Sequence, residues 1–255
     1  MKNIILIFTI ALAALQSQAQ LKTVTYKDGV QKLNGVAAIS ANPLKGNPGV
    51  LILPAWRGID DHSKQTAEKL AALGYSSFVA DIYGEGNYPK DSEEAGKQSG
   101  YYKKNYAEYH KRISVALQQL ILSGANKDKI VIIGYCFGGT GALEAARAGM
   151  NVKGVVTFHG GLGKDALRSS NPMTAKVLVC HGADDTFVPP AEIAAFHDEM
   201  RTSKADWQMI YYANAVHGFT EPSAGNDNSK GVAYNEKAAR RSWEHFMDFL
   251  QEVLE

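Results

Sequence analysis

Three residues of this chain have the types and the chain order of a nucleophilic catalytic site, and the first is a cysteine. Cys136 lies in the segment GYCFGG at 134–139, directly after the apolar run IVII at 130–133. A strand, a tight turn and a helix in this order hold the central side chain outward on a strained backbone. The flanking glycines remove Cβ atoms where the strand and the helix nearly collide. The sequence therefore predicts that Cys136 is the nucleophile of an acyl-transfer reaction.

An acid and a base are expected at the ends of two later strands. His217 follows the apolar run at 208–213 and is the predicted base, because an imidazole titrates near neutral pH and can pass a proton both ways. A thiol needs such a base, and a carboxylate on the other ring nitrogen fixes the tautomer. Asp185 is the favoured acid from the spacing Gly-x-x-Asp-x-x-Val, and Asp184 is the alternative, expected to bond local backbone in a turn.

The other six histidines are weaker candidates for the base. His159 and His181 also end strands, and we expect them to line the site or to bond backbone groups. The remaining four fall in helical stretches and are expected to be surface groups: His62, His110, His197 and His245.

Acyl transfer also requires two donors for the developing oxyanion. The backbone N–H of Phe137 is one candidate, because it follows the nucleophile at the start of a helix. The second donor is expected in the turn after the strand at 49–54, in the segment AWRG at 55–58. We place it at Trp56, which could also form a wall of the pocket.

The elements that position these residues alternate between strand and helix. Two short strands around 24–26 and 36–39 predict an N-terminal hairpin. Apolar runs predict further strands at 49–54, 75–82, 129–134, 152–159, 175–180 and 208–213. Helices are predicted at 63–73, 106–122, 140–148, 191–201 and 235–254.

This alternation predicts one α/β domain over 20–255, with a doubly wound and mostly parallel sheet. The longest stretches expected to be irregular are 83–100 and 221–231. Both follow strand ends, so both are expected at the carboxyl edge of the sheet, where such folds bind ligands.

At this point the chain resembles the dienelactone hydrolase family. The resemblance rests on GYCFGG at 134–139, DIYG at 81–84, the Asp185 segment, HGF at 217–219 and the late segments AYN at 233–235 and RSW at 241–243. It implies a compact α/β-hydrolase without a large lid. It also implies a Cys136-His217-Asp185 triad that opens an ester or lactone through a thioester, with oxyanion donors at Phe137 and Trp56.

Three positions depart from the family pattern. The family carries a Glu near the resting thiol, and its place here falls at Ala55, so that Cys136 would pair directly with His217. Two arginines that bind the family's substrate carboxylate correspond by counting to Glu85 and Glu221. Carboxylates there would repel an anionic substrate, which predicts a neutral or cationic ester.

The rest of the predicted substrate pocket is aromatic, with a single cation. Arg57 is that cation, and a solvent-facing loop position is its alternative interpretation. The predicted aromatic lining, for which core packing is an equally good explanation, is Tyr83, Trp56, Phe137, Phe187 and Phe219.

The first nineteen residues have the composition of a secretory signal peptide. Lys2 precedes an apolar run at 4–15, and small residues at 17 and 19 suit cleavage after Ala19. A retained membrane anchor is disfavoured because the run is short. We therefore expect a secreted, periplasmic protein. Its two cysteines, Cys136 and Cys180, are expected to remain unpaired despite that compartment.

Composition excludes several partner classes. The formal net charge is +1, and without Lys2 the acidic and basic residues would balance. No basic stripe is present, so nucleic acid and anionic membranes are not expected partners. No metal or cofactor is expected, since the segment DDH at 60–62 is typical of a helix N-terminus. We expect a monomer or homodimer that acts on a small ester or lactone.

Two other functions remain open from the residues. The missing Glu at Ala55 could leave a ligand-binding or sensor protein on the same scaffold. A peptidase is the third hypothesis, although such enzymes usually need an added recognition domain.

Overall fold

The computed structural model describes residues 20–254, so the expected signal peptide at 1–19 lies outside the described residues. The strands are β1 (Leu21–Asp28), β2 (Gln31–Ala38), β3 (Gly49–Leu53), β4 (Ser76–Val79), β5 (Ile130–Tyr135), β6 (Gly154–Phe158), β7 (Lys176–Gly182) and β8 (Trp207–Tyr212). The helices are α1 (Asp61–Ala72), α2 (Ser92–Lys104), α3 (Tyr106–Leu122), α4 (Phe137–Arg147), α5 (Pro190–Thr202) and α6 (Glu236–Leu254).

All of these strands belong to one sheet with the order β1-β2-β4-β3-β5-β6-β7-β8. The predicted N-terminal hairpin, β1 and β2, pairs antiparallel with β4 at one edge. From β4 onward every neighbouring pair is parallel. The mostly parallel, doubly wound sheet is therefore confirmed.

Two helical layers cover the sheet because its strands are apolar on both faces. In β5, for example, Ile130 and Ile132 face the core beneath α3, α4 and α5, whereas Val131 and Ile133 face the core beneath α1 and α6. This alternation is what a central parallel strand requires, since successive side chains point to opposite faces.

One helix was not predicted. Residues 83–100 were expected to be irregular, but α2 occupies Ser92–Lys104, and Asp91 caps it by accepting a hydrogen bond from the Glu94 amide at 2.9 Å. The buried residues of α2 are Ala95, Ser99 and Tyr102. Only Tyr102 is large and apolar enough to indicate a buried helix face in the sequence. The prediction was wrong because small residues supply most of the buried stripe.

Helix α1 begins as its sequence predicts. Asp60 accepts a hydrogen bond from the Ser63 amide at 2.8 Å, and the Ser63 hydroxyl accepts one from the Asp60 amide, which completes a capping box.

Within residues 20–254, no helix is both long enough and apolar enough to cross a membrane.

Candidate active site

Cys136 lies on a strained turn between β5 and α4. Its backbone has φ 52° and ψ −114°, a region that residues other than glycine rarely adopt. A Cβ on Gly134 would lie 1.9 Å from the Gly138 carbonyl oxygen, and one on Gly138 would lie 2.0 Å from the Leu53 carbonyl oxygen. The glycines of the segment therefore permit the close approach of strand and helix that holds the thiol outward.

The structure brings Cys136, His217 and Asp185 together from the ends of β5, β8 and β7. The His217 Nε2 atom lies 3.1 Å from the Cys136 sulfur, and His217 Nδ1 lies 2.9 Å from Asp185 Oδ2. Both distances are within hydrogen-bonding range. The imidazole thus bridges the thiol and the carboxylate, which is the arrangement that nucleophilic catalysis needs.

Between the two candidate acids, the geometry selects Asp185. Its carboxylate is fully buried, and its second oxygen accepts a hydrogen bond from the Phe187 amide at 2.9 Å. Asp184 is exposed and its amide donates to the Ala215 carbonyl, as expected of a turn residue.

Electrostatics favour a charged thiolate–imidazolium pair. Burial opposes both charges, but it is outweighed in each case. For Cys136, the hydrogen bond and the charge of His217 lower the pKa, with smaller contributions from Lys103 and the Phe137 amide. For His217, hydrogen bonds to Asp185 and Cys136 raise the pKa to about 9. Each partner therefore favours the charged form of the other.

The two candidate oxyanion donors follow different strands, Phe137 after β5 and Trp56 after β3. Phe137 is the first residue of α4, and its ring stacks on Tyr109 with centroids 4.7 Å apart. The Tyr109 hydroxyl donates to the Phe137 carbonyl at 3.1 Å. The Trp56 carbonyl accepts a hydrogen bond from the Tyr83 hydroxyl at 2.6 Å, which fixes the 55–58 turn beside β3.

The predicted aromatic lining divides into core and surface residues. Tyr83 and Phe219 are almost completely buried, and the rings of Tyr83 and Phe137 stack with their centroids 5.9 Å apart. Phe187 is 56% exposed, and its ring centroid lies 5.1 Å from that of His217. Phe187 is therefore the member of this set that forms an open apolar surface beside the imidazole.

Arg57 and Glu85 have partners of their own. The Arg57 guanidinium donates to the Ser92 hydroxyl at 2.6 Å and lies 5.7 Å from the Trp56 ring centroid. The Glu85 carboxylate is half-exposed and forms an ion pair with Lys32 at 2.7 Å. Its hydrogen bonds to Lys32 and Asn34 lower its pKa.

Glu221 lies against α1. Its Oε1 atom is 3.5 Å from His62 Nε2, and both side chains are mostly buried. Burial, followed by the charge of Asp60, raises the pKa of Glu221 to about 8, whereas burial lowers the pKa of His62. At neutral pH the Glu221 side chain is therefore mainly an uncharged carboxylic acid.

The four helical histidines are all partly buried, so the expectation of plain surface groups was wrong. His110 pairs with Glu144 at 2.8 Å, and His245 bonds the Tyr212 hydroxyl at 2.9 Å. His197 packs on Trp207 with ring centroids 5.1 Å apart, and His62 contacts Tyr135 at 4.6 Å. These partners are distant in sequence, which is why no local pattern revealed them.

Sequence reasoning also missed a cation near the nucleophile. Lys103, from the unpredicted α2, contributes electrostatically to lowering the pKa of Cys136. It lines a cleft of about 410 Å³ that also includes Phe187, Thr140 and Gly161. The prediction that Arg57 is the single cation near the site was therefore wrong.

The two cysteines are unpaired, as predicted. Cys180 is buried among residues of the α1 and α6 layer, whereas Cys136 packs against the opposite layer. Burial raises the pKa of Cys180 to about 12, so its thiol is inert beside that of Cys136.

Among residues 20–254, His, Cys, Asp and Glu form no cluster that could hold a metal ion.

Comparison with known proteins identifies the family. The model of the dienelactone hydrolase family matches residues 33–254. The "probable 2-oxo-3-(5-oxofuran-2-ylidene)propanoate lactonase" of a Bradyrhizobium species is 26% identical over 214 residues, which cover 80% of this chain and 83% of that protein.

Solved structures give the same result. A dienelactone hydrolase-like promiscuous phosphotriesterase from metagenomic libraries has a TM-score of 0.86 and 34% identity, and the match covers 94% of this chain and all of that one. A dienelactone hydrolase from Anabaena variabilis shares the fold, with a TM-score of 0.65 and 21% identity over 93% of this chain and 100% of that chain. The protein therefore belongs to the dienelactone hydrolase family, a family of carboxylic ester hydrolases within the α/β-hydrolase fold.

Proposed function

We propose that the protein is a thiol hydrolase that cleaves carboxylic esters or lactones through Cys136, His217 and Asp185. The observation that carries the proposal is the continuous contact from sulfur to imidazole to carboxylate, at 3.1 Å and 2.9 Å, on a nucleophile elbow. The names of its relatives support the bond type, since one is called a lactonase and another a dienelactone hydrolase.

In the first half of the reaction, the Cys136 thiolate attacks the carbonyl carbon. The N–H groups of Phe137 and Trp56 stabilise the oxyanion as charge develops on it. The His217 imidazolium then donates its proton to the departing alkoxide, which leaves a thioester on Cys136.

The second half regenerates the thiolate and the imidazolium. Neutral His217 removes a proton from water, and the resulting hydroxide attacks the thioester carbonyl. Collapse of the second oxyanion expels the Cys136 thiolate and releases the acid. Asp185 holds the Nδ1 proton of His217 throughout, so that Nε2 always faces the reacting atoms.

For the substrate's charge, a neutral ester remains our prediction, but on new grounds. Glu85 is balanced by Lys32, and Glu221 is mainly protonated, so neither is a negative charge that would repel an anionic substrate. The cleft beside Phe187 instead carries both signs: its charged lining residues are Lys103, Lys104, Lys164, Arg168, Glu144, Asp165 and Glu192. Because these charges nearly cancel, the cleft gives an anionic group little advantage over a neutral one.

An ester library that varies the charge next to the carbonyl tests this preference. We expect neutral esters to have the highest kcat/KM. A strong preference for anionic esters that disappears in Lys103→Ala would contradict the prediction and assign the specificity to that lysine.

We also propose that the protein is exported and cleaved after Ala19, with a monomer or homodimer as its final state. The support is the charged start, apolar run and small residues of the first nineteen positions. N-terminal sequencing of protein from the periplasmic fraction should begin at Gln20. An intact N-terminus in the cytosolic fraction would contradict export.

The central test of the chemistry is Cys136→Ala assayed with p-nitrophenyl acetate. We expect turnover to fall to background while the unfolding transition persists, because the substitution removes only the nucleophile. Cys180→Ala is the matched control and should retain activity, since that thiol is buried in the opposite layer. Full turnover by Cys136→Ala would overturn the proposed function.

A further inference from the structure

A second histidine, His159, packs directly behind the imidazole of His217. It follows β6, is 1% exposed and has a backbone φ of 41°, which is unusual for any residue other than glycine. Its amide donates to the Cys180 carbonyl at 2.9 Å, so the backbone is tied to β7. Residues held in such backbone conformations concentrate at functional sites.

The His159 ring packs against His217 itself and against Phe219, two residues further along the same loop. Its centroid lies 5.3 Å from that of His217, at an interplanar angle of 66°, and 5.2 Å from that of Phe219. Its Nε2 atom lies 2.8 Å from the Thr220 hydroxyl oxygen. One side chain thus packs on the base and is hydrogen-bonded to the loop three residues beyond it.

His159 has no charge to add beside His217. Burial, followed by the charge of His217, holds the pKa of His159 well below its usual value. A neutral ring can pack against an imidazolium without repelling it, and a protonated one could not. The contact can therefore orient the His217 ring without adding a second positive charge beside it.

A neighbouring histidine shows that this arrangement does not follow from strand-end position alone. His181 is also buried near the end of a strand, yet its ring contact is with Tyr211 at 5.4 Å. Both histidines lie at strand ends, but the close ring contact with His217 and the hydrogen bond with Thr220 belong to His159.

From these contacts we propose that His159 is a positioning residue that, together with its hydrogen bond to Thr220, holds His217 in register with the Cys136 sulfur. This proposal rests on the proposed function. It predicts that loss of either partner weakens the Cys136–His217 pair without removing any group that touches the substrate.

The rate of Cys136 alkylation by iodoacetamide, measured against pH, tests the proposal. This rate follows the thiolate fraction and needs no ester, and peptide mass spectrometry assigns the adduct to Cys136. The variants are His159→Asn, because asparagine tolerates positive φ, and Thr220→Val, which removes the hydroxyl at almost unchanged shape. His245→Asn is the matched control, since it also loses one imidazole–hydroxyl hydrogen bond.

In the wild type and in His245→Asn, we expect alkylation to titrate below the pKa of an ordinary thiol. In both test variants the midpoint should move up towards the ordinary value of about 8.5. With p-nitrophenyl acetate, their kcat should fall about 10- to 100-fold, while KM changes little, because misplacement of a catalytic group acts on the chemical step.

Two results would overturn the proposal and are distinguishable. If the wild type titrates low and both test variants match it in midpoint and kcat, His159 does not position His217. If wild-type Cys136 itself alkylates like an ordinary thiol, the paired nucleophile of the proposed function fails as well. If His159→Asn does not fold, Thr220→Val decides alone: a midpoint and kcat equal to those of the wild type overturn the proposal.

Discussion

At the scale of single residues, the site depends on which groups share His217. Its ring contacts the thiol, the Asp185 carboxylate, Phe187 and His159, so each ring atom involved in proton transfer has a defined neighbour. The charge state of the Cys136–His217 pair therefore depends on these contacts. It is therefore open to test by single substitutions.

Removal of the Asp185 charge should separate orientation from nucleophilicity. We expect Asp185→Asn to lower kcat about 10⁴-fold, because an amide favours the wrong tautomer of His217; the magnitude is that seen for the equivalent change in a serine protease. Asp184→Asn is the control and should stay near wild type, since Asp184 is exposed. Equal losses in the two variants, measured by ester turnover, would contradict the assignment of the acid.

The pH dependence of kcat/KM should be bell-shaped. Activity requires the Cys136 thiolate, so the acid limb should lie below the ordinary thiol pKa of about 8.5. It also requires protonated His217, whose pKa of about 9 sets the alkaline limb. A profile that simply rises with pH and levels off above the ordinary thiol value would show that the resting pair is uncharged.

The meeting of Cys136, Asp185 and His217 was predictable from sequence because each follows an apolar strand and their order along the chain is distinctive. Their supporting contacts were not. His159 is linked to His217 by packing between residues 58 positions apart, and Glu221 turns towards His62 on α1 instead of towards the thiol. Such contacts depend on side-chain direction in three dimensions, which residue counting through a loop does not supply.

At the scale of elements, the elbow depends on contacts between backbones. Gly134 and Gly138 lie where β5, α4 and the end of β3 approach so closely that a methyl group would overlap carbonyl oxygens. The strand and the helix are common elements. The glycines fix how they join, and so where the thiol points.

Gly134→Ala should destabilise the protein by about 2–4 kcal/mol, because the new Cβ would meet a backbone oxygen that cannot move aside. Gly100→Ala in α2 is the matched control, since a Cβ there meets nothing within 4 Å. It should stabilise the protein by up to about 1 kcal/mol through helix propensity. Chemical denaturation measures both changes, and a neutral Gly134→Ala would contradict the packing argument.

The same scale explains the missed helix. The buried positions Ala95, Ser99 and Tyr102 recur at helical spacing, but alanine and serine do not register as an apolar stripe. Two glycines, Gly96 and Gly100, further lower the helix propensity of the segment. Its burial against the rest of the fold, in particular through Tyr102, stabilises the helix beyond what its local sequence indicates.

At the scale of the whole molecule, stability should depend on pH through Glu221. The folded state keeps this carboxyl protonated up to about pH 8, whereas the unfolded chain releases the proton near 4.5. Since the folded state binds more protons in that window, its stability falls as pH rises through it and levels off above.

Glu221→Gln replaces the ionisable carboxyl with an amide, so neither the folded nor the unfolded chain releases a proton at this position. We expect the variant to match the wild type near pH 4 and to exceed its free energy of unfolding by a few kcal/mol at pH 9. Urea denaturation at both pH values measures the difference. A variant no more stable than the wild type at pH 9 would show that Glu221 is ionised or well paired in the fold.

The whole account depends on a covalent bond between substrate and sulfur. Rapid-quench mass spectrometry of the wild type with p-nitrophenyl acetate measures it directly, with Cys180→Ala as a control for the second thiol. We predict one acetyl group on the peptide that contains Cys136 within the first turnover, in both proteins. Ester hydrolysis without an adduct at Cys136, or ligand binding without hydrolysis, would contradict the account.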